Sequence, residues 1–255
     1  MNRYNSYKDS GFEWIGEIPE HWDCVRLGMI GTFSSSGIDK KSNDDEVPVR
    51  MVNYTDIIQK RIYNSIQDGT KEYMSITTPK SKFEEHRLKR GDMVFIPSSE
   101  TIDDLGYSSL IDFNDEDIVY SYHIIRFQNK REIFHYFKKY LINHSLVLSQ
   151  FSKESKGTTR QIIGRNVFNN INVVLPPLHE QEQIVAYLDK KTVIVDTLIT
   201  SKEQKINLLK EKRTALINHV ITKGLDPKVK LKDSGVEWIG EIPEHWEVKK
   251  LIYLG

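Results

Sequence analysis

Several features of membrane-spanning, secreted or disulfide-stabilised proteins are missing from this sequence. Cys24 is the only cysteine in 255 residues, so an intrachain disulfide is impossible and a cytoplasmic location is the simplest expectation. No apolar run approaches the roughly 18 residues that a membrane span needs, and MNRYNSYKDSGFEW at the start lacks the apolar core of a secretory signal. Because the formal net charge is zero, composition alone indicates neither a nucleic-acid nor a membrane partner.

The motifs of several enzyme classes are also missing. The sequence contains no [ND]PP[YFW] motif or glycine-rich cofactor loop of an adenine methyltransferase, and no GxxxxGK[ST] phosphate loop of a translocating motor. Its eight histidines form neither an HExxH motif nor a His/Cys cluster of metal-site spacing. The acids that follow His179 suit a helix start, and Asp103–Asp104 are interpreted as solvated loop acids. We therefore expect no catalytic activity, metal or cofactor.

What the chain does contain is a long internal repeat. Lys8–Gly31 and Lys232–Gly255 align at a constant offset of 224 residues and are identical at 16 of 24 positions. The spacing suits a duplicated domain, or a domain that pairs with a second copy of itself. The shared Trp, Ile and Pro residues predict a packing segment that seals one end of a domain. The tryptophans of the two copies are Trp14, Trp22, Trp238 and Trp246.

Residues 25–175 have the pattern of a mixed α/β domain. Short runs rich in β-branched and aromatic residues have strand length, and turn signals separate them. These runs are VPVRMVNY, DMVFIP, IVYSYHIIRF and NINVVLP. One helix is predicted over Glu132–Ser149, where apolar residues recur near helical spacing.

A long helix is predicted from about His179 to Lys223, a segment without proline or glycine. Acids lead and bases follow, as the helix dipole favours, and Gly224 with Pro227 marks the end. About 45 residues make a rod of roughly 65 Å, which is too long to bury its apolar stripe against a domain of this size. Since the chain has one such helix, the coiled-coil partner is expected from a second chain. The expected seam is Ile184, Leu188, Val195, Leu198, Ile206, Leu209, Leu216 and Val220.

These segments resemble the specificity (S) subunit of type I restriction–modification systems. Leu175–Leu225, which begins LPPLHEQEQIVAYLDKK, is similar to the conserved helical region of that family. EWIGEIPEHW, followed by VRLG, is similar to its repeated N-terminal segment. LKRGDMVFIPSSE and ESKGTTRQIIGRNVFNNINVVLPP resemble parts of its target recognition domain.

The resemblance implies two target recognition domains held apart by two antiparallel helices, each domain reading one half of a split DNA sequence. It implies a non-catalytic subunit that places methyltransferase (M) and restriction/translocase (R) subunits on double-stranded DNA. Those partners carry adenine methylation and DNA cleavage. This chain departs from the pattern in having one domain and one complete helix. We expect a homodimer of half-subunits. The alternatives are a truncated S subunit that pairs with a different half-subunit, and a coiled-coil adaptor that does not bind DNA.

The resulting fold prediction is an α/β unit, a mixed α+β target recognition domain, followed by a long coiled-coil helix. The expected parts are the target recognition domain at residues 1–177, the spacer and dimerisation helix at residues 178–224, and a linker at residues 225–255 with the second copy of residues 8–31. We expect this second copy to act as a clasp that can replace the first copy of a partner chain. Expected contacts between chains are Leu188, Val195, Leu198, Ile206, Leu209, Leu216, Trp14, Trp22, Trp238 and Trp246.

The zero net charge hides an uneven distribution. Asp92–Asp117 contains eight acids and no Lys or Arg, whereas Gln128–Pro177 contains eight bases against two acids. Lys80–Arg90 adds five bases against two acids. Because neutralising phosphates supplies much of the affinity for DNA, we expect one basic side of the domain to face DNA.

The sharpest candidate for a DNA contact is KESKGTTRQ, Lys153–Gln161. Gly157 permits close approach of the backbone, and the two threonines can bond phosphates. Arg160 and Gln161 have the donor geometry to read guanine and adenine edges in the major groove. The expected DNA contacts are Lys80, Lys82, Ser98, Ser99, Lys153, Lys156, Thr158, Thr159, Arg160 and Gln161.

Overall fold

The computed structural model describes residues 4–59 and 65–249 in two compact units, which divide at Lys190 and Lys191 inside a long helix. The strands are β1 Tyr7–Asp9, β2 Glu17–Pro19, β3 Asp23–Arg26, β4 Gly31–Ser35, β5 Val47–Val52, β6 Ile66–Gln67, β7 Met74–Thr78, β8 Met93–Phe95, β9 Ser98–Ser99, β10 Ser108–Ile111, β11 Ile118–Tyr120, β12 Ile125–Asn129, β13 Gln161–Ile162, β14 Asn172–Leu175, β15 Leu231–Asp233 and β16 Glu241–Pro243. The helices are α1 Leu27–Ile30, α2 Tyr54–Gln59, α3 Lys80–His86, α4 Phe137–Ile142, α5 Ser145–Lys153, α6 Arg165–Asn170 and α7 Leu178–Lys223.

Two mixed sheets form the body of the first unit. The larger has the strand order β4-β12-β8-β10-β6, and the smaller has the order β11-β5-β7. The β6–β10 and β5–β11 pairs are parallel, and the other pairs in these sheets are antiparallel. The predicted fold class, a mixed α/β domain followed by a long helix, is confirmed. The predicted boundaries after residues 177 and 224 stay predictions, although α7 begins at Leu178 and ends at Lys223.

Phenylalanines from neighbouring strands build the core of the larger sheet. Phe33 of β4 lies opposite Phe127 of β12, and their ring centres are 4.8 Å apart. Phe168 of α6 covers this pair, with its ring centre 5.3 Å from that of Phe33. Gly31 lies against the same cluster, because a Cβ there would be 2.3 Å from the Phe127 ring. Burial of each phenylalanine side chain stabilises the folded state by about 1.5–3 kcal/mol.

Two predicted elements are wrong, and in both cases hydrogen bonds to a distant segment of the chain interrupt the predicted element. The single helix expected over Glu132–Ser149 is instead α4 and α5, since the amide of Asn143 leaves the helix to bind Ser108. Its Oδ1 accepts from the Ser108 N–H at 2.9 Å and its Nδ2 donates to the Ser108 carbonyl at 2.8 Å. The single strand expected over IVYSYHIIRF is β11 and β12, which belong to different sheets. Between them, the N–H of Tyr122 donates to the carbonyl of Ile38 at 2.9 Å.

A buried carboxylate joins the first repeat copy to α7. Glu180 accepts hydrogen bonds from the Tyr4 hydroxyl at 2.6 Å and the Trp22 indole N–H at 3.1 Å, and His21 Nε2 bonds its other oxygen. Burial favours a higher pKa for this carboxyl, but these hydrogen bonds outweigh it and hold the Glu180 pKa below its ordinary value. The hydrogen bond to Glu180 raises the pKa of Tyr4 to about 12. Glu180 is therefore more than an acid suited to a helix start.

The two repeat copies form the same hairpin. Tyr7 pairs with Pro19 in the first, and Leu231 pairs with Pro243 in the second, at the offset of the sequence repeat. Both turns close through a serine N–H that donates to a glycine carbonyl, at 3.0 and 2.9 Å. In the second unit, Trp238 is 85% exposed. Positions 250–255 of the second copy lie outside the described residues. The role of the second copy as a clasp between chains stays a prediction.

Helix α7 ends as its sequence predicts. Gly224 follows the last helical residue with φ +76° and donates its N–H to the Val220 carbonyl at 3.0 Å. Within residues 4–59 and 65–249, no helix is both long and apolar enough to cross a membrane.

Glu180→Gln is expected to destabilise the first unit by about 1–3 kcal/mol, because it weakens charge-assisted hydrogen bonds to a buried acceptor. The measurement is urea unfolding at neutral pH, with the exposed Glu182→Gln on the same helical turn as the control. Because the pKa of Glu180 is lowered in the folded state, its stabilisation is present above the ordinary carboxyl pKa. This stabilisation is lost as the pH falls through the lowered pKa. The free energies of unfolding of wild type and Glu180→Gln should therefore become equal in acid. Equal free energies of unfolding for Glu180→Gln and Glu182→Gln at neutral pH would contradict this role of Glu180.

Candidate nucleic-acid interface

The predicted DNA-contact loop is a short hairpin anchored to the body of the first unit. Lys156 and Ile162 exchange backbone hydrogen bonds of 3.1 and 2.9 Å across its base. At the same end, β13 pairs with β9, with Gln161 opposite Ser99 and Ile162 opposite Ser98. Gly157 opens the tip with φ +126°, a backbone conformation that glycine adopts at little cost. The tip, residues 157–160, is exposed.

Arg160 lies at the end of this tip and is held on one side. Its Nε donates to the Ser98 hydroxyl at 3.3 Å, and a terminal nitrogen donates to the Ser98 carbonyl at 3.4 Å. Its guanidinium carbon is 6.0 Å from the ring centre of Tyr54, at the outer limit of a cation–π contact. The guanidinium remains exposed to solvent, so it is available to a ligand while its position is restricted.

Ser99 and Asp104 lie behind this surface. Ser99 is 1% exposed, and its hydroxyl donates to the Asp104 carboxylate at 3.0 Å. Asp104 is itself buried, so its interpretation as a solvated loop acid is wrong, whereas Asp103 is exposed. Ser99, although expected among the DNA contacts, therefore occupies an interior position. Across the described part of the chain, no group of three or more His, Cys, Asp or Glu side chains could hold a metal ion.

His123 lies within reach of the charges of Arg160 and Lys40, and Lys82 bonds the loop that carries Lys40. The Lys82 amine, on α3, donates to the Gly37 carbonyl at 2.8 Å. Burial first, and then the charges of Arg160 and Lys40, lower the pKa of His123, while Asp39 partly offsets them. The residues Lys40, Lys82, His123 and Arg160 are called the basic surface below. It joins two predicted basic segments, at Lys80–Arg90 and at Lys153–Gln161, through the loop that follows β4.

The remaining predicted DNA contacts fall in different places. Lys80 is exposed at the start of α3 and lies 3.9 Å from the Glu84 carboxylate. Lys156, Thr158 and Thr159 are exposed on the loop itself. Lys153, at the end of α5, instead lines a cavity of about 350 Å³ whose other lining residues are Trp14, Gln150, Glu154, Asn166, Val167, Asn170, Ile171 and Asn172.

Sequence reasoning missed Lys40, Tyr54 and His123. The turn signal at Ser34–Gly37 ends just before Lys40 and Lys41, and no pattern in the sequence marks these lysines as part of a site. Tyr122 and His123 were included in a continuous strand, yet two polar aromatics inside an apolar run are a sign of a break. Their rings lie 3.7 Å apart, and Tyr122 is 47% exposed. No sequence pattern marks Tyr54 as a site residue, because only the folded structure brings it near Arg160.

The apolar seam of α7 is exposed in the second unit. Within the predicted set, the exposed side chains are Val195, Leu198, Ile206, Leu209 and Leu216, each between 50% and 60% exposed. Leu188, in the first unit, is half-buried beside a smaller cavity of about 280 Å³ that Tyr4 and Ile184 also line. Exposed leucines at coiled-coil spacing are typical of an unpaired helix face.

Comparison with known proteins agrees with this architecture. The family described as "Type I restriction modification DNA specificity domain" matches residues 19–211. A putative type I restriction enzyme MjaX specificity subunit of Methanocaldococcus jannaschii is 29% identical over 251 residues, which cover 96% of this chain and 56% of the relative. The type I restriction enzyme MjaVIII specificity subunit of the same organism is 25% identical over 255 residues, covering 96% of this chain and 52% of the relative. The chain thus spans about half the length of these curated relatives.

Two solved structures share the fold. One chain comes from a study of complex assembly and conformational transition of the type I R-M system. It superposes with a TM-score of 0.59 at 17% identity, over 86% of this chain and 49% of its own length. The HsdS subunit from Thermoanaerobacter tengcongensis gives a TM-score of 0.53 at 16% identity, over 86% of this chain and 48% of its own. At these identities the likeness concerns the fold.

Gly157→Ala is expected to distort the loop, because a Cβ at this position would lie 2.1 Å from the Arg160 carbonyl oxygen and its φ of +126° is strained for alanine. Amide hydrogen exchange should become faster at Lys156 and Ile162, whose mutual bonds close the loop, while the global melting temperature changes little. The matched control is Gly164→Ala, where nothing lies within 4 Å of the added methyl group. Unchanged exchange in Gly157→Ala would show that the loop does not need this backbone conformation.

Proposed function

The chain belongs to the type I restriction modification DNA specificity family, and on this basis we propose that its first unit recognises double-stranded DNA through the basic surface. The observation that carries the proposal is that Lys40 and Arg160, from separate segments, both act by their charge on the partly buried His123, while Lys82 of α3 bonds the backbone of the loop that carries Lys40. Cationic groups on one surface repel one another in the free protein, and DNA phosphates would relieve that repulsion.

The geometry of the loop supports both kinds of DNA contact. Exposed Thr158 and Thr159 offer hydroxyls suited to phosphate oxygens, which position a protein on the duplex. Arg160 presents a planar guanidinium held from one side, the group that pairs best with a guanine edge. Gln161 donates to the Gly157 carbonyl at 2.7 Å, so it would have to release that bond to read a base. Arg160 is therefore the leading candidate for direct readout.

We further propose that the chain is a non-catalytic specificity component that works with partner subunits. Both curated relatives are called specificity subunits of type I restriction enzymes. Methyltransferase and restriction/translocase subunits would then supply the chemistry, and this chain would supply the DNA sequence at which they act. The host DNA methylation pattern with and without the protein would test this role.

Self-association is proposed for the second unit. One copy spans 56% and 52% of the two curated relatives, so two copies together would supply about the mass of one relative. The exposed seam of α7 offers a surface for that pairing, since apolar residues at this spacing are buried when two helices pack as a coiled coil. A pair of identical chains would present two copies of the basic surface, and it would read a target whose halves are related by symmetry.

Arg160→Ala is expected to weaken binding to a duplex selected from a random pool by about 1–3 kcal/mol if the guanidinium contacts a base edge. If it touches only phosphate, affinity should fall evenly across sequences and the salt slope should drop by about one. Fluorescence anisotropy at several salt concentrations distinguishes the two. Lys130→Ala, which removes an exposed charge just beyond the Asn129 end of β12, is the control. Unchanged binding by Arg160→Ala would remove this loop from the interface.

Leu209→Glu is expected to convert a dimer into a monomer, because pairing would bury an uncompensated charge at a cost of several kcal/mol. Light scattering should report a mass near 29.8 kDa for the variant and twice that for wild type. Asn207→Glu adds the same charge outside the seam and should remain dimeric. A wild-type protein that is monomeric at micromolar concentration would refute unaided pairing.

A further inference from the structure

We propose that Tyr54 is a positioning residue for Arg160, oriented by a hydrogen-bond relay that begins at the buried Asp104. This inference rests on the proposed DNA-binding function and adds a specificity residue to it. The relay runs from the Asp104 carboxylate to the Ser99 hydroxyl, then to the Tyr54 hydroxyl at 3.2 Å, and ends where the Tyr54 ring faces the Arg160 guanidinium.

The direction of each hydrogen bond follows from donor counting. A carboxylate only accepts, so the single hydroxyl proton of Ser99 is given to Asp104. The Ser99 oxygen is then left as an acceptor, and the N–H of Thr101 also donates to it at 3.1 Å. Tyr54 must therefore donate its own proton to Ser99. This fixes the Tyr54 hydroxyl to a buried anchor, since Ser99 is 1% and Asp104 6% exposed.

The backbone of Tyr54 is held independently of its side chain. Tyr54 is the first residue of α2, and its N–H donates to the Asn53 side-chain oxygen at 2.9 Å. The N–H of Asn53 in turn donates to the Asp56 carboxylate at 2.7 Å. With the main chain fixed at one end and the hydroxyl at the other, the ring between them has a defined orientation.

The alternation of side chains along a strand explains how β9 can contact both the buried Asp104 and the exposed Arg160. Successive side chains of a strand point to opposite faces. In β9, Ser99 points inward to Asp104, while Ser98 accepts hydrogen bonds from Arg160. The pairing of β9 with β13 fixes the register of the arginine loop relative to these serines. Arg160 is thereby restricted by Ser98 and by the face of Tyr54.

Restriction of this kind should matter more for base discrimination than for overall affinity. A bidentate contact to a base edge needs the guanidinium plane in one orientation, whereas attraction to phosphates is much less directional. Loss of the Tyr54 ring should leave Arg160 charged and exposed, and held only by its two long hydrogen bonds to Ser98. Preference for a selected duplex over a scrambled one would then fall, while binding to the scrambled duplex would change little.

The test compares Tyr54→Phe, which keeps the ring and loses the donated bond, with Tyr54→Leu, which loses both. The readout is the ratio of affinities for a selected and a scrambled duplex. We expect a loss of about tenfold for Tyr54→Leu, comparable with the loss of one base contact, and a smaller loss for Tyr54→Phe. In an Arg160→Ala background, Tyr54→Leu should cause no further loss, because the residue it positions is gone. Equal losses in both backgrounds would overturn the proposal.

A measurement without DNA separates this proposal from the proposed function. The mobility of the Arg160 side chain, followed by NMR at Nε, should increase in Tyr54→Leu. If mobility is unchanged in a folded Tyr54→Leu protein, or if it increases while the affinity ratio stays at the wild-type value, the positioning role is refuted. If Arg160→Ala itself leaves DNA binding unchanged, the proposed interface fails instead.

Discussion

The pairing of β9 with β13, two residues from each strand, is the constraint on which the candidate interface depends. It brings the loop at residues 156–162, late in the sequence of the first unit, beside Ser98, Ser99 and the acidic turn that follows them. Without this register, Arg160 would have no fixed partner, and the relay from Asp104 to Tyr54 would have no arginine to position. A two-residue ladder is weak alone. The Gln161 bond to Gly157 and the backbone bonds between Lys156 and Ile162 therefore share the task of holding the loop.

A second constraint is structural and involves no proposed ligand. Glu180 collects hydrogen bonds from Tyr4, His21 and Trp22, and so links the beginning of the first unit to the first turn of α7. This arrangement gives the repeated segment a structural purpose in its first copy. The second copy folds into the same hairpin with Trp238 exposed, which shows that local sequence specifies the hairpin while the tertiary surroundings decide whether its tryptophan is covered.

The sequence was most informative where a pattern is local. The proline- and glycine-free segment predicted α7 with its end at Gly224, and the repeat predicted two equivalent elements. It failed where side chains compete with regular backbone bonding, as Asn143 does between α4 and α5. The candidate site shows the same division. KESKGTTRQ could be identified from composition and glycine alone, whereas Tyr54 and His123 depend on contacts that no spacing encodes, and Ser99 could not be distinguished from Ser98 without the strand register.

The central claim is that the first unit meets duplex DNA with the basic surface, and hydrogen–deuterium exchange of the whole chain with and without a duplex tests it most directly. At low salt, where phosphate attraction is strongest, the account predicts slower exchange in residues 37–41 and 156–162 on DNA binding. It predicts no change in the acidic segment at residues 100–117. Protection confined to other segments, with both loops unchanged in a sample where DNA is bound, would contradict it.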